Sequence, residues 1–189
     1  MEPEKISMLT LVMAHAVAEG ISTAIVGQPN VGKSSLLNGL LGYDRAIVTD
    51  IPGTTRDTVE EKLLVGRVLL KLCDTAGIRS SEEIDSVERI GIERSIKKLE
   101  HSELVFAVFD GSDSLDGEDM SLLHRLKDYT GAKIAILNKT DIGENEDTVR
   151  VISSWGFDRV ILVSAKDGKG IDEIKAAVET IFGVKVAKV

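Results

Sequence analysis

From Ile21 onward, short apolar runs alternate with longer stretches in which apolar residues recur every three or four positions. Short apolar runs bounded by turn-forming residues read as strands, and the 3.6-residue period reads as helix. This pattern predicts strands at 21–26, 59–65, 67–73, 104–110, 133–137 and 160–163, and helices at 31–41, 85–99, 118–129, 147–155 and 171–182. Little more than Gly66 separates the second strand from the third, so those two form an antiparallel hairpin. Elsewhere strand follows helix in turn. That order predicts an α/β fold: a mostly parallel six-stranded sheet with one antiparallel edge strand and helices on both faces. Residues 1–19 read as a separate helix stopped at Gly20, ahead of a domain at 20–189. Residues 43–58 read as a polar loop containing Pro52 and Gly53. Sheets of this kind bind ligands beyond the carboxyl ends of their strands, and the chemistry-bearing segments all fall there.

Composition changes this picture little. The 189 residues are 43% hydrophobic and 29% charged, the make-up of a folded domain. A net charge of −8 argues against broad, unspecific binding to nucleic acid or anionic lipid. The lone cysteine, Cys73, excludes an internal disulfide framework. The apolar run at 9–18 is interrupted by His15 and follows Glu2, Glu4 and Lys5 without a basic leader, so it reads as helix rather than signal peptide. A cytoplasmic protein with no membrane partner and no direct nucleic-acid binding is the expectation. His15, His101 and His124 are scattered and show no metal-ligand spacing.

Gly27-Gln28-Pro29-Asn30-Val31-Gly32-Lys33-Ser34 has the form GxxxxGK[ST], between a predicted strand and a predicted helix. In that context glycines let backbone N–H groups wrap a phosphate, and the helix N-terminus adds positive potential. Asn30, Val31, Gly32, Lys33, Ser34 and Ser35 form the expected cradle. Lys33 has the reach for the β and γ phosphates, and the Ser34 hydroxyl is a Mg²⁺ ligand. Asp74-Thr75-Ala76-Gly77 ends the third strand. A carboxylate at Asp74 holds Mg²⁺ through water, and Gly77 offers an N–H to a γ phosphate. Thr54 and Thr55 lie in the long loop, where Thr55 is the candidate to complete the Mg²⁺ shell; unstructured loops of that length are uncommon without a function.

The base is read elsewhere. In Asn138-Lys139-Thr140-Asp141, a carboxylate at Asp141 accepts from guanine N1 and N2, a donor pair that adenine lacks. Asn138 bonds the base edge, and the Lys139 stem packs on the ring. Ser164-Ala165-Lys166 offers a backbone N–H to guanine O6. Guanine nucleotides, GTP and GDP, are therefore expected over adenine nucleotides.

Taken in order, Gly27–Ser34, Thr54-Thr55, Asp74–Gly77, Asn138–Asp141 and Ser164–Lys166 resemble the five motifs of the Ras-like, translation-factor-related P-loop GTPases. Residues 46–57 and 85–95 resemble the G domains of the MnmE (TrmE) tRNA-modifying GTPases more closely, and the second segment is the more specific. The resemblance implies G domains that self-associate across their switch regions when GTP and K⁺ are bound. It implies Asn30 as a K⁺ ligand, with carbonyls near Thr49 and Ile51 completing the site. Ile78 stands where a catalytic glutamine would follow Gly77, and the resemblance implies Glu88 as the catalytic carboxylate, acting through a bridging water, beside Lys33 and Gly77. It further implies that a longer protein modifies the wobble uridine of tRNA with the flavoprotein MnmG (GidA), and that residues 1–19 are a remnant of a connecting helix or foreign sequence. Other readings stay open. Asn30 also suits a tight turn, and 85–99 also suits a plain amphipathic surface helix. Beside a K⁺-stimulated GTPase stand a nucleotide switch with negligible catalysis and a Der- or Era-like ribosome-assembly GTPase.

Overall fold

The computed structural model describes residues 20–43, 61–73 and 97–182. In chain order these form β1 (Ile21–Val26), α1 (Lys33–Tyr43), β2 (Glu61–Val65), β3 (Val68–Leu72), β4 (Leu104–Asp110), α2 (Gly117–Lys127), β5 (Ala132–Asn138), α3 (Glu146–Ser153), β6 (Arg159–Leu162) and α4 (Ile171–Ile181). The sheet runs β2-β3-β1-β4-β5-β6. Among the described strands only the β2–β3 pair is antiparallel; β1 pairs in parallel with β3 and β4, and β5 with β4 and β6. The expected Ras-like architecture is the one observed.

The period-2 alternation of strand side chains divides the apolar residues between two cores. Leu104, Phe106 and Val108 of β4 join Leu36, Leu37 and Leu40 of α1 and Ile171, Ile174 and Val178 of α4 on one face. Val105, Ala107 and Phe109 join Leu123 and Leu126 of α2 and Ile152 of α3 on the other. Central strands buried on both sides read as unbroken apolar runs. The β2–β3 hairpin at the edge alternates buried and part-exposed positions instead.

Element ends moved where local chemistry overrides periodicity. Helix α1 begins at Lys33 rather than residue 31, because Gly32 is left-handed (φ 97°) and its carbonyl closes the first turn from Leu36 N–H at 2.9 Å. Asp116 starts α2 with a capping box closed by Asp119, and Asn145 starts α3 by accepting from Thr148 N–H. Both helices accordingly begin one residue before the predicted start. Trp155 and Phe157 pack against the second core and Phe182 against the first. Cys73 is half-buried just after β3. The predicted helix at 1–19 lies outside the described residues, as does most of that at 85–99, although 97–100 is helical. No helix among the described residues is long and apolar enough to cross a membrane.

Candidate nucleotide site

The phosphate loop is shaped by backbone conformation. Gly27 (φ 157°) lies so close to β4 that a Cβ would strike the Val108 carbonyl, and a Cβ on Gly32 would strike the Asn138 amide. Asn30 is left-handed (φ 65°), as its turn-forming reading anticipates. The Lys33 ammonium donates to the carbonyls of Gly27 (2.8 Å) and Gln28 (2.6 Å), which holds it against its own loop. Ser34 is buried in the first turn of α1, while Ser35 is exposed. That turn carries no acidic residue. The first turns of α2, α3 and α4 each carry two, so α1 leaves its positive end to an anion from elsewhere.

The base-side loops are shaped by side chains. Asn138 is 4% exposed at the end of β5. Its Nδ2 donates to Val31 O (2.9 Å) and its Oδ1 accepts from Ala165 N (3.0 Å). Asn138, expected on the base edge, ties the phosphate loop to the loop after β6. The Ala165 N–H expected at guanine O6 is the donor in that tie. Buried Ser164 donates through Oγ to Asp141 Oδ1 at 3.0 Å, and Asp141 is itself exposed at the rim. Lys166 is exposed.

Lys139, left-handed at φ 68°, places its ammonium 2.8 Å from Asp110 Oδ2. Burial pushes the Asp110 carboxyl up, but the Lys139 and Ser112 hydrogen bonds outweigh it and hold the group below its ordinary value. On the phosphate side, Gln28 Nε2 donates to Asp116 Oδ1 at 2.6 Å, joining the loop to the cap of α2. The Asp119 N–H, with Gln28 and Glu118 N–H, holds the Asp116 carboxyl down. Burial pushes Asp119 up. Sequence reasoning passed over Asp110, Ser112, Gln28, Asp116 and Asp119. The one signal available was Asp116 with Asp119 three residues on, a capping-box spacing. Thr49, Ile51, Thr54, Thr55, Asp74, Gly77 and Glu88 lie outside the described residues.

A sequence profile described as 50S ribosome-binding GTPase matches residues 22–139. The chain belongs to this GTPase family. The tRNA modification GTPase MnmE of Bacillus licheniformis is 49% identical to it over 164 residues, 87% of this chain and 35% of the relative. The chain thus spans about a third of the length of the curated relatives it matches. Among solved structures, the elongation factor SelB of Methanococcus maripaludis with a GTP analogue has a TM-score of 0.63 at 18% identity, over 90% of this chain and 35% of that one. Aquifex aeolicus Era bound to GDP and AlF4⁻ has a TM-score of 0.58 at 27% identity, over 86% and 56%. As a P-loop GTPase domain, this one brings its phosphate loop and its base loops to one edge of the sheet. The glycines that leave no room for a Cβ, the acid-free start of α1 and the Lys33 ammonium suit a nucleotide phosphate chain.

Proposed function

We propose that this chain is the GTP-binding and GTP-hydrolysing unit of a tRNA-modification GTPase, stimulated by K⁺ through association of two G domains. The observation that carries the reading is 49% identity to the MnmE of Bacillus licheniformis, which extends across both the phosphate and the base motifs. The reaction is GTP plus water giving GDP and phosphate. Phosphoryl transfer needs positioning and charge stabilisation rather than covalent chemistry. Backbone N–H groups of Asn30 to Ser35 and the Lys33 ammonium orient the phosphates, while Asp141 selects guanine. Glu88 orients and deprotonates the attacking water through a bridging water. Thr54 and Gly77 sense the γ phosphate. Ser34, Thr55 and Asp74 would hold Mg²⁺; Asn30 and the carbonyls of Thr49 and Ile51 would hold K⁺. These cations supply positive charge at the phosphates. In the longer protein, the cycle drives wobble-uridine modification on tRNA with MnmG, in the cytoplasm.

Ile78 beside Gly77 favours one second reading, a nucleotide switch with negligible turnover, since an apolar side chain does not orient water. Steady-state GTP hydrolysis at high protein concentration, with Mg²⁺ and equal ionic strengths of KCl or NaCl, separates the two. A large rise in KCl alone supports the first reading. Slow, equal rates with tight GDP binding support the second. Asp141→Asn should shift preference from guanosine to xanthosine nucleotides, because its amide donates to the xanthine 2-carbonyl; unaltered GTP selectivity removes Asp141 from that role.

A further inference from the structure

We propose that Asp110 is a positioning residue of this site: it fixes Lys139 so that the lysine stem forms a preset wall for the purine ring, and so slows nucleotide release. The inference rests on the guanine-nucleotide reading above.

Asp110 ends β4 directly beside Asn138 of β5 in the parallel register. Both its carboxylate oxygens are engaged. Oδ2 accepts from Lys139 Nζ at 2.8 Å, and Oδ1 accepts from Ser112 N (3.0 Å) and Ser112 Oγ (2.6 Å). The two loops that carry the pair are themselves joined. Gly111 N donates to Asn138 O and Gly111 O accepts from Asn145 N, each at 2.8 Å. A carboxylate clamped in this way is a fixed post, and Lys139 is the movable member of the pair.

The side chains remain 30% and 28% exposed, so solvent screens much of their attraction. The larger consequence is conformational. A lysine stem has several rotatable bonds, and ordering it is entropically costly. With its ammonium moored at Asp110, that ordering happens on folding rather than on nucleotide binding, and the apolar stem meets the ring already in place. A stem against a ring face does not read the ring's edge substituents. Asp110 therefore acts on every purine nucleotide alike, whereas Asp141 discriminates between them.

The test is a double-mutant cycle on release of fluorescently labelled GDP and IDP, the latter lacking the 2-amino group that Asp141 accepts from. Asp110→Asn should speed release of both by the same factor, about fivefold. Lys139→Met keeps the stem and loses the ammonium; in that background Asp110→Asn should have no further effect. Equal release rates in wild type and Asp110→Asn overturn the proposal. So does an effect that persists with Met at 139, which would place the role of Asp110 in the loop rather than in Lys139. If Asp110→Asn does not fold, Ser112→Ala decides: it loosens the post and should speed release about threefold, and an unaltered rate overturns the proposal. A wild-type chain that binds neither nucleotide rejects the underlying reading instead.

Discussion

The two halves of the nucleotide site are built by opposite means. On the phosphate side, backbone geometry does the work. Gly27, Asn30 and Gly32 take positive φ, and α1 starts without an acid in its first turn. On the base side, side chains are held by hydrogen bonds: Asn138 by Val31 O and Ala165 N, Asp110 by Lys139 and Ser112, and Asp141 by Ser164. The phosphate half presents the acid-free N-terminus of α1, which suits an anion. The base half pairs Asn138, Asp110 and Ser164 internally, because a buried polar side chain without a partner is costly, while the Thr140 hydroxyl is buried without one among the described residues. Each half is therefore fragile in its own way: the first to added volume, the second to lost hydrogen bonds.

Gly32 is where both weaknesses meet, and Gly32→Ala should have the largest effect. The substitution strains a residue at φ 97° and drives its Cβ into the Asn138 amide. Strain and the broken Asn138–Val31 bond together should cost about 4 kcal/mol. Chemical denaturation and GDP affinity should fall together. A variant that loses GDP binding at full stability would show that the halves are independent. Asn138→Ala comes next. It leaves Val31 O and Ala165 N unpaired, for a loss of about 3 kcal/mol, again measured by denaturation. A loss below about 1 kcal/mol would mean that water replaces the amide, and that the Asn138 tie does not hold the base half together.

The same contrast explains what was legible in the sequence. The central strands stood out because burial on both faces makes them unbroken apolar runs, and the hairpin because little more than Gly66 separates two strand-like segments. Backbone-built features were legible too, since glycine spacing reports backbone need directly. Side-chain-built features were not. Asn138 was recognised as a site residue, but its partner Val31 lies 107 residues away, and a sequence carries no measure of that approach. Asp110 looked like the polar end of a strand, and only the left-handed turn at Lys139 brings the two charges together.

Gln28 is the exception on the phosphate side, a side chain that anchors the loop from outside through Asp116. Gln28→Ala should cost about 1 kcal/mol, because the cap of α2 still accepts from Glu118 N and Asp119 N. GDP release should quicken, while the discrimination between GDP and IDP stays as it was. An altered GDP-to-IDP ratio would mean that the anchor reaches the base half, and the division drawn between the halves would fail.

The smallest expected effect has the opposite sign and tests whether the anchor carries a cost. Asp119 is 7% exposed, and its Oδ2 accepts from Asp116 N at 3.1 Å. Burial raises its carboxyl above the ordinary 3.8. The folded chain therefore holds the Asp119 proton to a higher pH than the unfolded chain does. Stability from this group is full below about pH 3.8 and declines as pH rises through the folded-state value. Asp119→Asn keeps a carbonyl acceptor for Asp116 N and removes the titration. It should be slightly more stable than wild type at pH 7, with that advantage vanishing near pH 3, as read from denaturation midpoints at the two pH values. A variant destabilised at pH 7 but not at pH 3 would show instead that the Asp119 carboxylate is needed as an anion.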